Sequence, residues 1–297
     1  MKGSGQPIGL YLISARILME KLNNKRITFS WDIHYACNYR CPYCWYAADG
    51  TFLKNKNKYL PFKKLIDIWT DMHRKHGSLW IDIIGGEPFI YPDFNEIIRE
   101  LSKMHFIEIT SNLSTDLSSS LGGINPEMVR IAGTLHPLFA DLRVFIRNLL
   151  ALKEHGIKTF ALYLAYPPQI PLIPYYREKF AYCGIDFSVI TFWGEYRGVR
   201  YPEGYSQEEI NIIEPFLGER GEEKYQLRPK EVKRKICRAG QIYVNLKADG
   251  SAYRCGSHKS QSLGNLFAGN FQLLDKPMPC DSDFCPCNEW AGLLVET

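Results

Sequence analysis

The chain has 297 residues, 45% of them hydrophobic and 23% charged. This is a globular composition, long enough for about two domains, and it excludes a disordered or low-complexity protein. The 36 Lys and Arg against 32 Asp and Glu leave a net charge of +4, too weak a bias to mark nucleic acid or an anionic membrane as partner.

The predicted elements run as follows. Residues 8–19 are apolar, but Ser14 and Arg16 interrupt them and no small-residue cleavage site follows. They are expected to form a short helix packed on the body, not a signal peptide, and no window reaches the roughly 20 apolar residues of a membrane span. Residues 26–34 (RITFSWDIH) alternate as a strand does. Phe62, Leu65, Ile66, Trp69 and Met72 then fall at helical spacing. A buried-type strand at 79–84 ends in Gly85-Gly86, Ile97, Ile98 and Leu101 mark a helix, and a strand follows at 105–110. Beyond a strand at 129–135, a helix over 141–155 stops at Gly156. A strand at 159–165, a helix over 174–182 and a strand at 185–192 complete the run. Strands alternating with helices predict parallel βαβ units. Six strands between residues 27 and 192, at about 28 residues per unit, make three-quarters of a (β/α)8 barrel of about 250 residues. The expected fold is therefore α/β, a partial (β/α)6 TIM-like barrel, with the active site at the carboxyl ends of its strands.

Nine cysteines without a secretion signal imply a reducing compartment, the cytoplasm, where clustered Cys bind metal more often than they pair. Cys37, Cys41 and Cys44 form a C-x3-C-x2-C group just after the first strand. Three thiolates in one loop suit three corners of a cubane cluster and leave one iron open, since the four-cysteine ferredoxin spacing is different. The alternative is a structural zinc site with His34 as the fourth ligand.

With Tyr43 before its last cysteine, this triad resembles the signature of the radical S-adenosylmethionine (SAM) superfamily. The second strand ends Gly85-Gly86-Glu87-Pro88, similar to that family's GGEP motif, and the third ends Thr110-Ser111-Asn112, similar to its threonine-asparagine motif. The resemblance covers roughly residues 26–193. It implies that Cys37, Cys41 and Cys44 hold a [4Fe–4S] cluster whose open iron chelates SAM. Tyr43, Gly85, Gly86, Glu87, Pro88, Ser111 and Asn112 are then the SAM-binding residues, with the GGEP backbone taking the methionine amino group. One electron from an external flavodoxin- or ferredoxin-like reductant cleaves SAM, and the resulting 5′-deoxyadenosyl radical takes a hydrogen from the substrate.

The remaining cysteines, apart from Cys183 as a small core residue, lie near the end: Cys237, Cys255, Cys280, Cys285 and Cys287. Asp249-Gly250 between the strand-like runs 241–247 and 251–254 predicts a hairpin, which makes neighbours of Cys237 and Cys255. Cys237-x12-Gly250-x4-Cys255, with Leu263-Gly264-Asn265 beyond, resembles the opening of SPASM and twitch domains. A full SPASM domain has seven cysteines; five imply the smaller arrangement with one auxiliary [4Fe–4S] cluster, on Cys237, Cys255 and two of the last three. A zinc ribbon is the alternative. The expected organisation is an N-terminal extension (1–25), the partial barrel (26–205), a helical and charged linker (206–236) and a cysteine-rich auxiliary-cluster domain (237–297). Ser206-x-x-Glu209 opens the linker helix as a capping box.

His136 and the aromatic segment 193–205, with Trp193, Tyr196 and Tyr201, are candidate substrate contacts at the barrel mouth. The reaction expected is an oxidation or an epimerisation of a small polar, sugar- or aminocyclitol-like molecule, because only 36 residues precede Cys37, too few for a leader-peptide domain. A peptide substrate is the alternative within the class, and a non-catalytic zinc or iron–sulfur protein the alternative outside it. No nucleic-acid or membrane partner is expected.

Overall fold

The computed structural model describes residues 26–48, 57–117, 121–217, 227, 230–256, 260–285 and 293–295. The expected helix over 8–19, most of the linker at 218–235, and Cys287 lie outside them.

Six strands, β1 (Thr28–His34), β2 (Trp80–Gly85), β3 (Phe106–Ser111), β4 (Val129–Leu135), β5 (Lys158–Ala165) and β6 (Phe187–Thr191), pair in that order, all in parallel. Each lies within two residues of its expected bounds. The helices are α1 (Trp45–Ala48), α2 (Phe62–His76), α3 (Phe94–Leu101), α4 (Leu142–Glu154), α5 (Ile173–Tyr182) and α6 (Gln207–Ile213). Helix α4 starts where it does because the Asp141 carboxylate accepts from the first free amides, Arg143 N and Val144 N. Helix α6 opens on the expected capping box, Ser206 and Glu209 each accepting from the other's backbone N–H.

Alternation along each strand divides apolar from polar residues. Phe29 and Trp31 face the helices, each meeting Trp69 of α2 with ring centres 5.4 Å apart. Ser30 and Asp32 take the other face. The register aligns Ser30 with Asp82, Glu108 and Arg130 across four strands, so the inner face carries polar and charged groups in place of a greasy fill. Arg130 meets Glu108 there at 3.1 Å. The inner strand β4 is buried at every residue, as a central parallel strand covered on both faces must be.

After β6, strands β7 (Gly194–Tyr196) and β8 (Val199–Tyr201) form a small hairpin. The C-terminal part holds β9 (Lys230–Glu231), β10 (Ile236–Cys237), β11 (Tyr243–Leu246), β12 (Ser251–Tyr253), β13 (Ser262–Asn265), β14 (Met278–Pro279) and β15 (Phe284–Cys285). The hairpin expected at Asp249-Gly250 joins β11 to β12, with Asn245 opposite Tyr253 and Gly250 at φ 84°. It does not stand apart from the barrel. Strand β11 pairs in parallel with β1, Thr28 beside Tyr243, giving one nine-stranded sheet in the order β13-β12-β11-β1-β2-β3-β4-β5-β6. The edge of β1, which would otherwise present unpaired amides and carbonyls, is covered by the C-terminal hairpin. Among the described strands the sheet stays open, with β13 and β6 at its edges. No described helix is long and apolar enough to cross a membrane.

Candidate active site

Because β1 to β6 are parallel, all their carboxyl ends lie at one end of the sheet, and the loops there carry the motif residues. The loop after β1 holds Cys37, Cys41 and Cys44. It is fixed from below by the end of β2. Gly86 N donates to His34 O at 2.7 Å and Glu87 N to Ala36 O at 2.9 Å. A Cβ on Gly86 would stand 1.8 Å from Ala36 O, and one on Gly85 2.3 Å from His34 O. The double glycine is therefore required by the close approach of two strand ends, before any ligand is considered.

Glu87 is the centre of this bracing. Its side chain is fully buried and accepts from Ser111 Oγ at 2.7 Å, Asn112 N at 2.7 Å and Phe89 N at 3.1 Å. Burial raises its carboxyl pKa, and the three donors pull against that rise. The carboxylate thus ties the end of β2 to the end of β3; its functional reach is through position. Ser111 also accepts from Leu113 N at 2.9 Å. Asn112 donates to Asn38 Oδ1 at 2.9 Å and lies 3.9 Å from Cys37 Sγ, so the third-strand motif holds the cysteine loop directly. His34 donates from Nε2 to Glu87 O at 2.8 Å, which leaves Nδ1 to accept from Tyr59 OH at 3.3 Å. Both ring nitrogens are occupied, so His34 is not poised as the fourth ligand of a zinc site.

Burial raises the thiol pKa of Cys37 and of Cys41, the neighbouring Cys44 sulfur adds to both rises, and Cys41 is pushed up to about 12. Tyr39 N donates to Cys37 Sγ at 3.4 Å. Among the described residues no three His, Cys, Asp or Glu side chains converge as the ligands of a single metal ion do; a four-iron cubane takes each thiolate at a different corner and suits a looser group. Aromatic rings wall the loop on the far side. Tyr43 packs on Tyr166 at the end of β5 with centres 4.7 Å apart, and Tyr166 on Tyr196 at 5.2 Å. Tyr43 OH donates to His136 Nδ1 at 3.2 Å, and burial lowers the His136 pKa to about 4, so this imidazole is neutral and accepts. His136 and Tyr196 thus belong to the aromatic group around Tyr43 and Tyr166, and Trp193 Nε1 donates to Thr191 Oγ1 at 3.1 Å. Tyr201, on β8, is buried and packs against Phe192 and Tyr205.

One polar group escaped the sequence reading. Asp32, fully buried on the inner face, accepts from Tyr46 OH at 2.7 Å and from Lys247 Nζ at 2.9 Å. Tyr46 lies two residues beyond Cys44 and Lys247 one beyond β11, so the contact locks the C-terminal hairpin to the cysteine loop. The only sequence signal was an acidic residue in the inward register of a buried strand.

The second cysteine group lies on the C-terminal strands. Cys237 on β10 pairs opposite Met278 of β14, which leads into Cys280. Cys255 follows β12, and Cys285 lies on β15. Cys237, Cys255, Cys280 and Cys285 meet in one small apolar cluster with Tyr243 and Leu293, separate from the main core. Burial raises the Cys237 thiol, and the Ala239 N–H and the Arg254 charge oppose that rise. Cys183, at the end of α5, packs on the barrel core as expected.

Strand order, cysteine loop and braced strand ends define a SAM-radical class of barrel, and residues 31–170 match the family model of the radical SAM superfamily. Over those residues the chain matches a radical SAM domain, a family whose cofactors are a [4Fe–4S] cluster and SAM. Solved structures agree on the fold. Streptococcus suis SuiB has 16% identity and a TM-score of 0.58, over 86% of this chain and 68% of that one. It is also solved with S-adenosylmethionine, and with its precursor peptide SuiA at 15% identity and TM-score 0.58, over 92% and 72% of the two chains. The protein anSMEcpe with bound AdoMet has 14% identity and a TM-score of 0.60, over 82% and 76%.

Proposed function

We propose that this protein is a radical SAM enzyme with one auxiliary cluster, and that it modifies a peptide. The observation that carries the class is the pair of separated thiol groups: three over the carboxyl ends of the sheet beside a carboxylate-braced cradle, four in their own apolar pocket. Cys37, Cys41 and Cys44 hold the first [4Fe–4S] cluster and leave a coordination position for SAM. Cys237, Cys255 and two of Cys280, Cys285 and Cys287 hold the second. When bound, the first cluster and SAM supply a 5′-deoxyadenosyl radical that takes a hydrogen atom from the substrate. The chain's own residues do the positioning. Glu87, Ser111 and Asn112 fix the loop against the strand ends, Gly85, Gly86 and Pro88 shape the SAM-facing turn, and Tyr43, Tyr166 and His136 keep water from the thiols. A flavodoxin- or ferredoxin-like reductant in a reducing cytoplasm supplies the electron.

The peptide reading is supported by SuiB and anSMEcpe, both solved with peptides bound. The charged and hydroxylic inner face around Asp32 and Lys247 favours a second reading, a small polar substrate of sugar or aminocyclitol type, oxidised or epimerised. Anaerobic incubation with SAM and dithionite tests the class: 5′-deoxyadenosine is expected from the wild type and none from Cys37→Ala, and its absence from both overturns the proposal. Deuterium passing from labelled peptide into 5′-deoxyadenosine supports the peptide. Transfer only from labelled aminocyclitols overturns it in favour of the second reading. One of Cys280, Cys285 and Cys287 is the thiol left over. If it returns hydrogen in an epimerisation, one of the three alanine variants abolishes deuterium uptake from solvent while both clusters remain; uptake unchanged in every variant that keeps both clusters removes that role.

A further inference from the structure

Two arginines of the described chain are deeply buried, and their partners differ. Arg130 has the Glu108 carboxylate at 3.1 Å. Arg254 is 6% exposed and among the described residues pairs with no carboxylate. Its donors go to main-chain carbonyls: Nε to Ala239 O at 2.8 Å, Nη1 to Pro279 O at 2.7 Å, Nη2 to Cys237 O at 3.0 Å and to Met278 O. Carbonyl dipoles satisfy the hydrogen bonds, but they leave a permanent cation in a dry pocket, and guanidinium does not shed its proton. A buried charge is ordinarily matched by an opposite one.

The anion that matches it is implied by the residues around it. Arg254 precedes Cys255 in sequence, bonds the carbonyl of Cys237 and bonds the residue before Cys280. It therefore touches or adjoins three of the four cysteines gathered in the C-terminal apolar pocket. Four thiolates around a [4Fe–4S] core leave that cluster net negative, and net charge is one of the determinants of its potential. We propose that Arg254 is the built-in counter-charge of the auxiliary cluster, a positioning residue that clamps the segments bearing Cys237 and Cys280 and holds the cluster's reduction potential up. The inference rests on the reading that these cysteines hold a cluster.

The test uses the full chain carrying Cys37→Ala, Cys41→Ala and Cys44→Ala, so that only the C-terminal cluster remains, and compares Arg254 with Arg254→Lys and Arg254→Gln. Lys keeps the charge; Gln keeps two donors and loses it. Redox titration followed by electron paramagnetic resonance is expected to show at least a tenfold lower reduced-to-oxidised ratio for Gln at fixed potential, 59 mV for a one-electron couple, with Lys close to Arg. Loss of the cluster from Gln alone, with Lys retaining it, also supports the counter-charge. Equal shifts in Lys and Gln, no shift in either, or loss from both overturns it in favour of a purely mechanical clamp. A parent that binds no iron overturns the auxiliary-cluster reading itself, and the counter-charge with it.

Discussion

The two cysteine groups are built on opposite plans. The first sits on a loop at the end of a large parallel sheet, and its rigidity comes from neighbouring strand ends: Glu87 accepts from β3, and Asn112 reaches back to Asn38. It has three thiols and a fourth position left for a ligand. The second lies on the short C-terminal strands, where Cys237, Cys255, Cys280 and Cys285 share a small apolar cluster outside the main core and the Arg254 guanidinium bonds the backbone beside them. On the proposed reading, a site that admits SAM borrows stiffness from the barrel and stays open, and one that only holds a cluster carries its own charge.

The largest break in this contrast is expected at Gly86. Its Cβ would overlap Ala36 O, so Gly86→Ala displaces the first loop; about four irons per chain are lost and SAM cleavage falls to background, while the second cluster remains. Cys255→Ala is the converse, removing the second cluster's iron and leaving 5′-deoxyadenosine formation intact. Next is the lock between the regions. Lys247→Met strands the buried Asp32 carboxylate, and breaking a buried pair costs about 3–5 kcal/mol; because Lys247 is itself 36% exposed, a loss of about 3 kcal/mol in denaturant unfolding is expected, and no loss would show the pair to be incidental. Glu87→Gln sets an amide donor against Ser111 Oγ–H or Asn112 N–H, and about 1–3 kcal/mol of stability should go, with weaker SAM binding.

The last effect is one of acidity and grows only as pH falls. His105 accepts from Leu79 N and donates to Trp69 O as a neutral ring, and burial lowers its pKa to about 4. The unfolded chain binds that proton near pH 6.5 and the folded chain only near 4. Stability is therefore full above about 6.5 and declines as pH falls towards 4, by about 1.4 kcal/mol per unit at most. Thermal unfolding of wild type and His105→Gln across that window measures it, and parallel slopes would assign the loss elsewhere.

Strand positions, the cysteine triad and the hairpin at Asp249-Gly250 were legible because each is a local pattern: alternation, spacing, a turn dipeptide. What escaped depends on non-local register. Nothing near Tyr243 says that it will lie beside Thr28 and extend the barrel sheet, and Asp32 and Lys247 are 215 positions apart. The Gly85-Gly86 pair was legible, its physical cause was not, since the clashes are with His34 at the end of β1 and Ala36 in the loop beyond it. The burial of Tyr201 was not legible, because an aromatic in such a segment reads alike whether it faces solvent or the core.

Iron and sulfide per chain after anaerobic reconstitution, for wild type and for Cys37→Ala/Cys41→Ala/Cys44→Ala, test the two-site claim most directly. Two four-iron clusters give about eight irons falling to about four. About four falling to none, or zinc in place of iron, contradicts it.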